Sequence, residues 1–156
     1  MSLDPSMASS SSGRMEGDEH VLAMRVYYED TDAAGIVYHS NYLKFAERGR
    51  TELLRLVGIS QTELVRTHGM AFAVRDCALD YRAPARLDDL LEVRSRLIEL
   101  RGATLRARQA IQRGGEDLVT LAVRVACVAL NGRPMRMPWA LRERLEAYCP
   151  TREEGA

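Results

Sequence analysis

The spacing of apolar residues changes twice along the chain. Tyr42, Phe45, Ala46, Gly49, Leu53, Leu56 and Val57 recur at steps of three and four, while Lys44, Glu47, Arg48, Arg50, Glu52 and Arg55 fill the other positions. That period predicts a long amphipathic helix with one apolar stripe. Ser40 or Asn41 offers an N-cap and Gly58 a stop. Gly49 falls in mid-helix, where it costs about 1 kcal/mol relative to alanine. Its place on the stripe implies that the helix lies very close to something flat. A shorter helix is expected from Gln61 to His68. Ahead of the long helix, Val21 to Tyr28 reads as a strand, followed by an irregular loop from Glu29 to about His39.

From Ala71 onward the period is two. Leu91, Val93, Ser95 and Leu97 alternate with Glu92, Arg94 and Arg96, and Ala103, Leu105, Ala107 and Ile111 alternate with Thr104, Arg106, Arg108 and Gln112. Arg101-Gly102 and Gly114-Gly115 stand between the runs, where tight turns belong. Leu118 to Leu130 is almost continuously apolar, as for a strand covered on most of its surface. Asn131-Gly132 is a turn signal, and Trp139 to Tyr148 reads as a terminal helix. One amphipathic helix and a set of antiparallel strands bury each other best if a single curved sheet wraps around the helix. The expected class is therefore α+β.

A length of 156 residues fits one domain, here placed over 20–149. Residues 1–19, poor in bulky apolar side chains and carrying a serine run, are expected to be a flexible leader, and 150–156 a loose tail. Twenty-two basic residues balance 22 acidic ones, so there is no bulk cationic field to recruit nucleic acid or an anionic membrane. No apolar run approaches the roughly 20 residues of a membrane span, and no secretory signal is visible, so cytoplasm is the default location. Cys77, Cys127 and Cys149 are widely spaced without a CxxC pair, which argues against a disulfide framework or a zinc site. Neither GxGxxG, GxxxxGKS nor HExxH occurs, so no cofactor or metal is called for.

The stretch Tyr28-Glu29-Asp30-Thr31-Asp32-Ala33-Ala34-Gly35-Ile36-Val37-Tyr38-His39-Ser40-Asn41-Tyr42 carries the chemistry. It sets two carboxylates and a glycine in a loop that delivers the chain to a helix start. Small residues let a ligand approach the backbone, and the helix start offers unpaired N–H donors with partial positive charge. A carboxylate beside such donors is the minimum equipment for hydrolysing an activated acyl compound. Turn and capping chemistry alone would also explain Asp-Thr-Asp before a helix.

Asp30-Thr31-Asp32-Ala33-Ala34-Gly35-Ile36-Val37-Tyr38-His39-Ser40-Asn41-Tyr42 closely resembles the signature of the 4-hydroxybenzoyl-CoA thioesterase-like hotdog family, and in particular its YbgC branch. The resemblance runs from about Arg25 to Leu145. It takes in Phe45-Ala46-Glu47-Arg48-Gly49-Arg50-Thr51-Glu52 and Tyr81-Arg82-Ala83-Pro84-Ala85-Arg86-Leu87-Asp88-Asp89. It implies a hotdog fold, a five-stranded antiparallel sheet wrapped around one long central helix, assembled as a homo-oligomer of two or four such units. It also implies acyl-CoA thioesterase activity, with an acyl group on acyl carrier protein as the alternative substrate. By the same resemblance Asp32 is the catalytic carboxylate, acting as nucleophile or through water. The backbone N–H of His39 polarises the thioester carbonyl, and the His39 side chain assists. Gly35, Ile36, Val37 and Tyr38 would line the substrate, while Tyr42 packs the helix start.

Two other carboxylates take bland roles. Asp30 is expected to hydrogen-bond within its own loop. Glu47 lies on the charged side of the helix, although another hotdog branch uses a helix carboxylate. CoA carries three phosphates and needs guanidinium or backbone donors. Arg82 and Arg86 are the leading candidates, with Arg101, Arg133 and Arg136 also near strand ends or in loops. The rival functions are a hotdog hydratase, whose Asp–His motif is not found here, and a non-catalytic acyl-binding scaffold.

Overall fold

The amphipathic stripe becomes helix α1, Asn41–Leu56, which buries Tyr42, Phe45, Ala46, Gly49, Leu53 and Leu54. In this computed structural model, which describes residues 11–150, α1 lies in the hollow of one antiparallel sheet. The strands are β1 (Arg14–Glu16), β2 (Glu19–Arg25), β3 (Met70–Tyr81), β4 (Leu90–Leu100), β5 (Thr104–Arg113) and β6 (Glu116–Ala129), and their order across the sheet is β1-β2-β4-β5-β6-β3. Helix α2 spans Gln61–His68, with Ser60 Oγ accepting from the Glu63 amide and Gly69 closing it in the left-handed region. Helix α3 spans Trp139–Glu146.

The wrapped-helix architecture is the one expected, but the sheet has six strands rather than five. The additional strand, β1, falls inside the stretch expected to be a flexible leader. It is short and polar, so periodicity carries no signal for it. Pairing with β2 and ion pairs from Arg14 to Glu16 and Glu92 hold it in place. The first strand proper runs from Glu19 to Arg25, earlier than expected, and Tyr28–Asp30 form a single 3-10 turn. Residues 1–10 of the expected leader and the expected tail from 151 onward lie outside the described residues.

Turn chemistry sets the hairpins. Gly114 and Gly115, both with φ in the left-handed region, join β5 to β6 in a two-residue turn of the kind whose twist suits antiparallel strands. Strand β6 corrects one expectation. Despite its nearly continuous apolar run, from Val119 onward it buries alternate residues, Val119, Leu121, Val123, Val125 and Cys127, with Leu118 buried beside them, while Ala122 on the opposite face is exposed. Period-two geometry prevails because the helices cover only one side of the sheet. Strand β3 is an edge, its middle residues Ala73, Val74, Arg75 and Asp76 exposed.

Gly49 explains itself in space. A Cβ built on it would stand 2.6 Å from Val93 Cγ1, 3.1 Å from Ser95 Oγ and 3.2 Å from Gln109 Nε2. The helix sits directly on β4 and β5, and only a residue without a side chain permits that separation. Two apolar clusters flank this contact: Tyr42, Phe45, Leu91 and Val119 belong to the one near the helix start, and Leu53, Leu54, Leu105 and Leu145 to the other.

Candidate active site

The loop ahead of α1 is a compact knot of its own hydrogen bonds. Asp30 Oδ2 accepts from the Tyr27 amide at 2.8 Å, and Asp30 O accepts both the Tyr38 amide at 3.0 Å and Asn41 Nδ2 at 2.8 Å. Asp30 therefore ties the 3-10 turn to the helix start, as its bland reading anticipated. A bridge between Thr31 and Val37 narrows the loop, and the Asp32 amide donates to Ile36 O at 2.8 Å. Gly35, with φ of 78°, donates to Asp32 O at 3.0 Å; that left-handed conformation is strained for any residue with a Cβ.

Within this knot the two oxygens of Asp32 differ. Oδ1 accepts from the Ala34 amide at 2.8 Å and from the Ile36 amide at 3.4 Å. Oδ2 accepts nothing among the described residues. The backbone aims the carboxylate through one oxygen and leaves the other open on an exposed side chain. The helix start beside the loop is also left open. Ser40 occupies the N-cap position without a side-chain capping bond, and no acidic residue lies in the first turn. Among the described residues neither the His39 nor the Ser40 N–H donates a hydrogen bond. Uncapped N–H groups at a helix start form a positive patch ready for an oxyanion.

Aromatic side chains fix this helix start. Tyr38 and His39 pack with ring centroids 4.5 Å apart, and Tyr81 meets the edge of His39 at 6.5 Å and of Tyr42 at 5.9 Å. The Tyr81 hydroxyl donates to His39 O at 3.1 Å, orienting the peptide that follows residue 39. Tyr42 is a core residue, as expected. Its hydroxyl oxygen accepts the Ala85 amide at 2.9 Å, and burial pushes its pKa above the usual phenol value.

The other predicted site residues divide. Gly35 and Tyr38 are exposed and Ile36 is partly so, all within the loop. Val37 is corrected: at 3% exposure its side chain packs in the core, so only its backbone, which donates to Ala85 O at 2.9 Å, belongs to the loop. Strand alternation across the Thr31–Val37 bridge turns it inward. Arg86 pairs with Ile36 in a backbone bridge, which puts the 82–89 segment against the loop. Asp89 Oδ2 accepts from the Arg86 amide and from Arg113; although burial opposes it, these partners hold the Asp89 carboxyl below its usual range. Arg82 is paired with Asp80 and lies near Asp117, while the Arg86 guanidinium forms no ion pair among the described residues. Arg101 lies at the far end of β4, bound to Glu99. Leu90, where β4 begins, pairs with Arg25 beside the loop, so the 11 residues of that strand separate Arg101 from it, about 36 Å at strand rise. The loop bearing Arg133 and Arg136 joins Arg101 there, through the Met137 amide on Gly102 O.

Sequence reasoning gave no role to Tyr81 or to Gln109. Gln109 continues the inward phase of β5 between Ala107 and Ile111, and that parity was the available signal. Among the described residues no cluster of three or more His, Cys, Asp or Glu is placed to hold a metal ion, and no helix is long and apolar enough to cross a membrane.

Comparison with known proteins gives this geometry its setting. Residues 26–145 match the thioesterase-like superfamily. The acyl-CoA thioesterase YbgC of Haemophilus influenzae is 46% identical over 116 residues, which are 74% of this chain and 85% of that protein. A probable thioesterase from Bartonella henselae has a crystal structure that superimposes with a TM-score of 0.75 at 40% identity, covering 77% of this chain and 99% of that one. A mutant 4-hydroxybenzoyl CoA thioesterase crystallised with 4-hydroxybenzoyl CoA shares the fold, with a TM-score of 0.77 at 17% identity over 82% of this chain and 99% of that one. The wrapped sheet thus belongs to a known lineage: the chain is a member of the thioesterase-like superfamily, on its YbgC branch.

Proposed function

We propose that this chain hydrolyses the thioester bond of acyl-CoA, with Asp32 as its reactive carboxylate. The observation that carries the reading is the asymmetry of Asp32, one oxygen anchored by loop amides and the other open, beside a helix start where the His39 and Ser40 N–H groups are unspent among the described residues. The thioester carbonyl accepts from the His39 N–H, which draws charge off the carbon and stabilises the oxyanion as it forms. The open Asp32 oxygen then attacks the carbon, expelling CoA thiolate and leaving a mixed anhydride that water hydrolyses; alternatively it takes a proton from a water that attacks directly. Both routes end with a free acid and CoA thiol. The His39 imidazole, exposed at the loop rim, assists proton movement at the departing sulfur.

Gly35, Ile36 and Tyr38 border the acyl group, and Arg82 and Arg86 flank the loop where CoA phosphates would lie. An acyl group on acyl carrier protein presents the same thioester and is the alternative substrate. The free edge of β3, twelve residues long, supports pairing with a second copy, since an unpaired edge exposes a full row of backbone donors and acceptors. The working unit is therefore a homo-oligomer.

A panel of acyl-CoAs read by free-thiol release tests the activity. Release of thiol from at least one member supports the reading. A protein that binds acyl-CoA but never releases thiol is a scaffold, and the proposal falls.

A further inference from the structure

The Arg50 guanidinium borders a cavity and has no carboxylate partner among the described residues. Between α1, β3 and the inner faces of β4 and β5 lies a cavity of about 280 Å³, with Leu53, Phe72, Leu97 and Leu105 among its walls and Glu47 and Arg50 on its polar side. Arg50 is partly buried and makes a single hydrogen bond, from Nη1 to Gln109 Oε1 at 2.8 Å. Gln109 is itself 3% exposed and fully engaged, its Nε2 donating to Ala46 O and to Ser95 Oγ, each at 2.8 Å. Two strands and the helix backbone thus fix the amide that holds Arg50. The rest of the guanidinium fork is unengaged among the described residues. Glu47, one helical turn earlier, interacts with it only at a distance and forms no ion pair. Burial pushes the Arg50 pKa down, the mark of a cation short of compensation.

Sequestering a cation without a partner is costly unless something completes it. A planar fork with spare N–H donors matches the two oxygens of a carboxylate. The walls around it are apolar and suit an anion carried on a short methylene chain. Arg50 lies nine residues beyond the start of α1, about 14 Å along the axis at 1.5 Å per residue, and helical side chains lean back toward the N-terminus. Measured along α1, the fork is thus set less than about 14 Å from the helix start.

We propose that this cavity receives the free carboxylate of a dicarboxylic acyl thioester, Arg50 binding it and Gln109 holding Arg50 in place. This rests on the thioesterase reading for the reacting end, but the cavity's affinity for a carboxylate can be measured without turnover. The full-length protein is tested in two ways: binding of adipamate (the monoamide of adipate) against hexanamide by calorimetry, and kcat/KM for adipyl-CoA against hexanoyl-CoA. Wild type should favour the member of each pair that bears a free carboxylate by about tenfold, the value of a charge-assisted bond. Arg50→Met should abolish both preferences, and Arg50→Lys, which keeps the charge without the fork, should retain part of them. If Arg50→Met does not fold, the wild-type preference and Arg50→Lys decide. Arg50-dependent adipamate binding with no thiol released from any acyl-CoA supports the cavity while removing the hydrolase reading. Equal treatment of adipyl and hexanoyl ligands by wild type overturns the proposal. So does an Arg50→Met variant that loses self-association but keeps the ligand preference, because the fork would then answer a carboxylate of a second copy.

Discussion

Replacing Gly49 by alanine sets two effects of opposite sign against each other. Helix propensity alone predicts a gain of about 1 kcal/mol. Packing predicts a loss. The new Cβ would lie 2.6 Å from Val93 Cγ1, where carbon pairs settle at roughly 3.5–4.0 Å. Val93 is fully buried in an interior strand, and its branched side chain is stiff about χ1. It cannot step aside, so α1 must lift by about 1 Å. Overpacking of that kind costs about 1–3 kcal/mol. Lifting the helix also stretches the Gln109 bond to Ala46 O, now 2.8 Å, for about 1 kcal/mol more. The net expectation is a destabilisation of about 2 kcal/mol, or a Tm lower by about 4–8 °C for a chain of this size. Circular dichroism melts of wild type and Gly49→Ala, with urea titrations alongside, measure it. Gly49→Leu should do far worse and accumulate as insoluble protein. A Gly49→Ala variant melting at or above wild type would refute the close-approach argument and leave helix propensity as the ruling effect.

Two further outcomes follow from buried polar contacts. His20 is fully buried; its Nε2 is 2.7 Å from Ser12 O, so that nitrogen carries the hydrogen, and Nδ1 has no partner among the described residues. Burial lowers its pKa from the ordinary 6.5, with the Ser12 carbonyl and Glu52 opposing. The unfolded chain therefore binds more protons than the folded one below about pH 6.5, and stability present above that pH is lost as pH falls toward the folded value. Melts between about pH 8 and about pH 5.5 should show Tm falling on acidification, and His20→Gln should flatten the slope; a wild-type Tm that rises on acidification contradicts this. Tyr81→Phe keeps the ring contacts to His39 and Tyr42 but removes the hydroxyl that holds His39 O. Its kcat should fall about fivefold, the equivalent of one hydrogen bond, with Tm nearly unchanged; an unaltered kcat would mean that the peptide after residue 39 is held by other means.

Helices and strands were legible because each writes a period. The stripe from Tyr42 to Val57 and the alternation from Leu91 onward needed only one face to bury, and Gly49 on the stripe announced the contact with Val93 and Gln109. Strand β1 was not legible, since three residues, mostly polar and held by pairing and ion pairs, show no apolar rhythm. Val37 was misassigned because a loop motif names residues without saying which way they point; the Thr31–Val37 bridge decides that. The polar set of Arg50, Ser95 and Gln109 hid inside the amphipathic pattern, where polar letters normally mean solvent. Only long-range contacts across 59 and 14 residues bring its members together. The Asp32 loop was the most legible part of the site, because its hydrogen bonds are local, but the difference between its two oxygens appears only in coordinates.

Asp32→Asn isolates the charge of that residue from its structural part. The asparagine carbonyl oxygen can accept the Ala34 and Ile36 amides as Oδ1 does, so the loop keeps its shape while the open oxygen is replaced by an NH₂ group. Thiol release from acyl-CoA by wild type and Asp32→Asn, measured side by side on proteins of matched Tm, is the direct test. Turnover should fall by about 10²–10⁴-fold. An Asp32→Asn protein that releases thiol at the wild-type rate would mean that the reactive carboxylate lies elsewhere.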